Sequence, residues 1–323
     1  MIDRFAAKEF NWGSAKMDMK AADMARAKFA LHGPEEKFDP RVTAHRGDLA
    51  DIKLAGKMFA PHYAEALPMR CSAPKAMLRK QAGKNYEAVS ELLHGEEFQM
   101  LDVTGDWAWG FCQADGYVGH VPFHALQHIR KTPVPTHLVS ARAALIFSQP
   151  DIKSGVMKRL PMGAHIACGE PSECKKFLST GKGFVHVQHV QKIGAKIVFD
   201  GGNSPIDLAE QLVGAPYLWG GRSGDGLDCS GLVQTVLTIA GIECPRDADQ
   251  QMAVLGKDLA DEEQLQRGDL VFFPDHVGMM VDQEKIIHAN AYWMRVSIDP
   301  LAEVVSRFGE ECEQPVLARK RLD

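Results

Sequence analysis

The sequence predicts an α+β protein in which two small β-barrels precede a domain that packs a helix on an antiparallel sheet. Three observations point to it. Short β-prone runs such as EEFQML, WAWGFC and GYVGHV are punctuated by Gly and Asp before residue 131, which is the pattern of short strands and tight turns. The same style returns after the Pro-rich segment KTPVPT, in LVSARAALIF, GAHIAC, GFVHVQHV and AKIVF. From Ser204 the character changes to one apolar helix followed by four short β runs, which layer as helix on sheet.

Length and composition agree with several domains. The chain has 323 residues, 45% hydrophobic and 24% charged, with a formal net charge of −5. That length exceeds one ordinary core, and that composition is globular. No Lys/Arg run supplies the footprint of a nucleic-acid or anionic-membrane partner. No stretch of about 18 apolar residues suggests a membrane span. The N-terminal MIDRFAAKEFNWGSAKMDMK has no apolar core of signal-peptide length, so a cytoplasmic location is expected. Seven cysteines without a repeated spacing read as free thiols in a reducing compartment. A monomer is the expected state.

Taken in order, residues 1–60 form a helical or irregular segment. Met17–Leu31 is helix-prone, with Gly33 and Pro34 as stops. No role is assigned to FDPRVTAHRGDLADIKLAGKMF. Residues 61–131 form the first barrel, with a tight hairpin at Asp115-Gly116. Residues 137–198 form the second. Residues 204–323 form the third domain. There Ser204 caps a helix over 205–213. A second helix runs from Ser230 to Ala240, with Leu232, Val233, Val236 and Leu237 on its apolar face and Gly241 as its stop. Strands follow at 269–273, 276–281, 285–290 and 295–299.

Cys229 stands where a Gly-rich loop meets the second helix. A helix start offers unpaired N–H groups and partial positive charge. Both favour thiolate, the nucleophilic form, and a free thiol titrates near about 8.5. The helix end and a nearby imidazole are therefore expected to lower its pKa, with Asp228 and Ser230 capping the turn. A cysteine nucleophile needs a base, and the base needs an orienting partner. His276 opens one strand, and His288 lies 12 residues later (288 − 276) in the next. Antiparallel strands joined at Asp282–Glu284 place both rings on one side, His276 as base and His288 fixing its tautomer. Backbone N–H groups near Cys229, with Tyr217, are candidates for stabilising an oxyanion. Zinc held by Cys229, His276 and His288 is the chemical rival, but no fourth ligand has a recognisable spacing.

The runs Pro216-Tyr-Leu-Trp-Gly-Gly221, Leu227-Asp-Cys-Ser-Gly-Leu-Val233, Arg267-Gly-Asp-Leu-Val-Phe-Phe273, His276-Val-Gly278 and Ile287-His-Ala289 closely resemble the NlpC-like cell-wall peptidase family. The resemblance covers about 120 residues of the C-terminal third. It implies a papain-like domain with Cys229 as nucleophile, His276 as base, His288 as orienting residue and Tyr217 beside the thiol. It implies no cofactor. Pro245-Arg-Asp-Ala-Asp-Gln-Gln251 resembles the subgroup that cleaves γ-D-glutamyl to diamino-acid bonds in murein stem peptides with a free N-terminal L-Ala. There Asp247 corresponds to the carboxylate that binds the peptide's ammonium, and Arg246 and Ser230 join the substrate-binding set. Such a pairing rejects acylated stems.

Leu92-Leu-His-Gly-Glu96, Gly105-Asp-Trp107 and Gly116-Tyr-Val-Gly119 resemble bacterial SH3-like domains. In the same subgroup the first such barrel walls one end of the active site. The acidic and aromatic residues it contributes correspond by motif position to Glu91 and Tyr117. The expected activity is thiol-dependent hydrolysis of released wall peptides, in recycling. Two other readings compete: a peptide-binding module with weak catalysis, and a thiol-dependent acyltransferase or amidase. His186 and His189 lie three apart in an expected strand, hence on opposite faces, and are set aside as a chelating pair. Cys168 and Cys174 have no matching second pair.

Overall fold

A computed structural model describes residues 38–195, 204–310 and 312–322, so the helix expected over Met17–Leu31 lies outside the described residues. Asp39–Asp323 forms one compact unit. Its first segment contains a short parallel pairing between Leu49–Asp51 and His62–Ala64.

The first barrel is one antiparallel sheet of seven strands. In spatial order these are Ala88–Leu93, Lys75–Arg79, Val118–Pro122, Trp107–Cys112, Glu97–Thr104, Leu67–Cys71 and Leu126–His128. Alternating residues such as Leu78, Leu92, Phe98 and Val121 turn inward and form its own core. The hairpin expected at Asp115-Gly116 is present, with Gly116 at a φ of 73° that favours glycine. The second SH3-like barrel splits into a four-stranded and a three-stranded sheet around Val139, Ala144, Leu160 and Val185.

The last domain begins with α1 (Pro205–Glu210), whose N-cap Ser204 forms a capping box with Asp207. It is shorter than the expected 205–213. Helix α2 (Cys229–Ile239) is buried along almost its whole length because the sheet lies on one side and the barrels on the other. Helix α3 (Ala248–Val254) follows. Six antiparallel strands come next in the order Lys257–Asp258, Ala318–Arg321, Leu270–Phe273, His276–Met280, Lys285–Asn290 and Arg295–Pro300. Four of these are the expected strands. Helix α4 (Leu301–Gly309) closes the far side. Among the described residues no helix is long and apolar enough to cross a membrane.

The first barrel and the last domain share buried polar contacts. Arg222 donates through Nη1 to the Glu91 carbonyl at 2.9 Å and to Glu96 Oε2 at 3.2 Å, and through Nη2 to Glu96 Oε1 at 3.2 Å. Gln234 of α2 donates to Asp115 Oδ2 in the barrel hairpin at 2.9 Å. Gly220, at φ 78°, passes so near the barrel that a Cβ there would lie 2.9 Å from the carbonyl carbon of Ala88. Only glycine allows that approach.

Candidate active site

Cys229 is the first residue of α2, and Asp228 is its N-cap. Asp228 Oδ1 accepts from the Gly231 N–H at 2.7 Å, and Oδ2 accepts from Gly220 N–H at 2.8 Å. A Cβ on Gly231 would fall 2.1 Å from the Gly221 carbonyl oxygen, so glycine lets the loop close over the helix start. The sulfur contacts the Asp275 carbonyl at 3.9 Å and the Val277 backbone N–H. These residues flank His276, so the nucleophile lies against the start of the base's own strand.

A two-residue turn, Pro274-Asp275, connects Phe273 to His276, which pair across the hairpin. Asp275 sits at φ 53°, a conformation Asp tolerates better than most residues. His276 Nε2 lies 2.8 Å from His288 Nδ1, and His288 Nε2 lies 3.2 Å from Asp299 Oδ2. Burial raises the Asp299 pKa, but Arg307, His288 and Trp293 outweigh it and hold the carboxyl below its usual range. A carboxylate only accepts, so His288 carries its proton on Nε2 and its Nδ1 accepts from His276 Nε2–H. His276 is left with Nδ1 as its basic nitrogen. Phe308 of α4 covers the His276 ring at 5.5 Å between centroids.

The expectation of a lowered thiol pKa is corrected. Burial first, then the Asp228 carboxylate, pushes the Cys229 thiol up to about 12. The N–H groups of Val277 and Ser230 and the Arg246 charge pull the other way and lose. Burial, then His288 and Arg307, brings His276 down to about 3. Burial thus favours the uncharged form of both groups. The facing nitrogens of His276 and His288 are spent on each other, and among the described residues no three His, Cys, Asp or Glu side chains cluster to hold a metal.

A cavity of about 580 Å³ opens beside the thiol, with Cys229, Asp228, Ser230, Tyr117, Asp247 and Trp219 in its wall. Tyr117, from the first barrel, donates its hydroxyl to Asp247 Oδ2 at 2.9 Å. Burial, then Asp247 itself, pushes the Tyr117 phenol up. Burial also raises the Asp247 pKa, against the pull of Tyr117, Arg246 and Arg41. Tyr217 is half-buried. It packs against the apolar cluster that includes Cys229, and burial, then the charges of Cys229 and Asp228, push its phenol up.

Two expected substrate contacts are corrected. Arg246 is 1% exposed and does not line the cavity. It lies beneath α2, bonded to Asp228 Oδ2 at 2.5 Å and Oδ1 at 3.0 Å, to Ser230 Oγ at 2.9 Å and to Ser90 Oγ at 3.2 Å. Ser230 lines the cavity, but its hydroxyl is committed to that cluster. Glu91 is fully buried at the domain interface, 2.9 Å from the Arg222 backbone N–H and 2.8 Å from Lys75 Nζ. Its strand runs from the cavity into the interface, so Glu91 lies one strand repeat deeper than Val89. The acid the barrel presents to the cavity is Glu87, which accepts from Trp219 Nε1 at 3.3 Å.

The sequence reading also missed Arg41 and Asp299. Asp299 shares a face with His288 by strand alternation, which was the signal available. His186 and His189 are also reassigned. The strand ends at His186, and a 3-10 turn brings the two rings to 5.6 Å.

With the site built, its relatives are informative. The NlpC/P60 family profile matches residues 214–307, and the profile of the bacterial dipeptidyl-peptidase Sh3 domain matches 78–126. The chain therefore contains a domain of the NlpC/P60 cysteine peptidase family and, before it, a bacterial SH3 domain. The γ-D-glutamyl-L-lysine dipeptidyl-peptidase of Bacillus cereus is 28% identical over 66% of this chain and 70% of its own length. Dipeptidyl-peptidase 6 of Lysinibacillus sphaericus is 25% identical over 72% and 90%. The solved structure of an NlpC/P60 family protein from Bacillus cereus matches the fold with a TM-score of 0.67, at 20% identity over 79% of this chain and 99% of that one.

Proposed function

We propose that the protein hydrolyses the γ-D-glutamyl-L-diamino-acid bond of murein peptides whose N-terminal L-Ala is free, with Cys229 as nucleophile. The observation that carries this reading is one cavity with the thiol and a Tyr117-bound Asp247 both in its wall. Five acidic residues (Glu87, Asp228, Asp247, Asp249 and Asp275) face one cation, Arg41, in that wall. Such a lining favours a ligand with a positive end. The name of the Bacillus cereus relative, a γ-D-glutamyl-L-lysine dipeptidyl-peptidase, supports the same bond type.

In the reaction, His276 Nδ1 takes the thiol proton as sulfur adds to the γ-glutamyl carbonyl. The tetrahedral oxyanion forms at the start of α2, where backbone N–H groups and the helix dipole favour negative charge. The diamino acid leaves as its amine with the proton from His276. Water, deprotonated by the same nitrogen, then cleaves the thioester and restores the thiol. His288 and Asp299 keep His276 in the required tautomer. Asp247 and Tyr117 bind the L-Ala ammonium and fix which carbonyl meets the sulfur. A cytoplasmic role in wall-peptide recycling goes with this reading.

Mass spectrometry of L-Ala-γ-D-Glu-L-Lys incubated with wild type and Cys229→Ala tests the proposal. Release of L-Ala-D-Glu and lysine by wild type alone is expected. No release by the wild type, or equal release by Cys229→Ala, overturns it.

A further inference from the structure

The segment before the first barrel, whose sequence pattern points to no role, enters the cavity through Arg41. The Arg41 carbonyl accepts from the Val118 N–H of the barrel at 2.8 Å. The Arg41 guanidinium reaches the other way, into the peptidase domain. Nη1 donates to Asp247 Oδ2 at 2.9 Å and to Asp249 Oδ1 at 2.8 Å, and Nη2 donates to Asp249 Oδ2 at 2.7 Å. Asp39 holds the same guanidinium through Nε at 3.1 Å and Nη2 at 2.8 Å, and itself accepts from Gln250 at 3.0 Å. Arg41 and Tyr117 therefore meet on one oxygen of Asp247, from two separate chain segments.

We infer that Arg41 is a specificity-determining residue of the amine end, holding Asp247 in place as an ionised carboxylate that selects peptides with a free ammonium. This rests on the proposed function and adds a residue to it. Its physical basis is the charge balance. Asp39, Asp247 and Asp249 bring three negative charges and Arg41 one positive, so the cluster keeps negative charge for a ligand to neutralise. The nearby Arg246 is already matched by Asp228. Without Arg41, Asp247 faces Asp249 and Asp39 with only the Tyr117 hydroxyl and the more distant Arg246 in support. A desolvated carboxylate among like charges takes up a proton more readily. A protonated Asp247 no longer attracts an ammonium.

The test is steady-state kinetics on L-Ala-γ-D-Glu-L-Lys and its N-acetylated copy from pH 5 to 9, with wild type, Arg41→Gln, Arg41→Ala and Arg41→Lys. Arg41→Gln removes the charge at similar length, so a result does not depend on how well Arg41→Ala folds. For Arg41→Gln a KM about tenfold or more higher for the free peptide is expected, the loss of one charge-assisted contact, with kcat nearly unchanged. The acid limb of kcat/KM moves to higher pH, and Arg41→Lys moves it back. A purely structural role leaves that limb in place. Unchanged KM and acid limb in Arg41→Gln, with a wild type that still discriminates, overturn the inference alone. A lower KM overturns it too, making Arg41 a resident competitor of the ammonium. Equal cleavage of both peptides by the wild type overturns the amine-recognition reading and this inference together.

Discussion

Arg222 ties the first barrel to the peptidase domain, and replacing it with alanine isolates that connection. The side chain is 3% exposed and makes three hydrogen bonds, one to the Glu91 carbonyl and two to Glu96. Glu96 is itself buried. After Arg222→Ala the one bond left to its carboxylate among the described residues is from the Leu93 N–H, at 2.8 Å. Breaking a buried ion pair from one side costs about 3–5 kcal/mol, because the surviving charge stays desolvated. Against a total stability of about 5–15 kcal/mol that is a large fraction. Urea unfolding of the two proteins measures it directly. The double variant Arg222→Met/Glu96→Leu should recover much of the loss, since replacing both charges with apolar groups is often near neutral. Because Tyr117 and Asp247 belong to the two bodies joined here, the KM for free-amine peptide should rise in Arg222→Ala at temperatures where the protein remains folded. A loss under about 1 kcal/mol, or an unchanged KM, refutes the view that the barrel and the peptidase domain form one energetic unit.

Two further outcomes follow from the site. With the thiol pushed up to about 12 and His276 down to about 3, the resting enzyme holds little thiolate at neutral pH. Alkylation of Cys229 by iodoacetamide, with Cys229→Ala as background, should be slow at pH 7 and rise steadily to pH 10; a fast rate that is flat from pH 5 to 9 indicates a preformed ion pair instead. Asp299→Ala removes the acceptor of three bonds, from His288 at 3.2 Å, Trp293 at 3.1 Å and Arg307 at 3.0 Å. It should lower kcat about tenfold or more through the lost tautomer lock, with KM little changed, and equal kcat values remove Asp299 from the relay.

Much of this was legible in the sequence because it is local. The hairpin at Asp115-Gly116, the capping Ser204, the strand Lys285–Asn290 and the Cys229 helix start all follow from turn chemistry and periodicity. Strand alternation alone put His276 and His288 on one side. Helix α4 was missed although it supplies Phe308 and Arg307 to the histidine pair. Ala318–Arg321 was missed because its sequence, ARKR, carries no apolar alternation. It is recruited only because the Leu270–Phe273 strand offers an open edge. The errors share one cause. Arg246, Glu91 and Arg41 are polar residues whose roles depend on partners on other chain segments, at separations of 18, 131 and 206 residues. Motif position placed the acid at Glu91, on the strand Ala88–Leu93, four residues beyond Glu87, which immediately precedes that strand. The thiol shift inverted because burial and the adjacent Asp228 outweigh the helix end, and burial cannot be read from neighbours in sequence.

The most direct test of the account compares kcat/KM for L-Ala-γ-D-Glu-L-Lys with that for its N-acetylated copy, in wild type and in Asp247→Asn. Wild type is predicted to prefer the free peptide by about a hundredfold or more, and Asp247→Asn to lose most of that preference, as removal of a half-buried, charge-assisted contact to the ammonium implies. Equal rates on both peptides in the wild type, or an undiminished preference in Asp247→Asn, would contradict a site that recognises the peptide by its free amine.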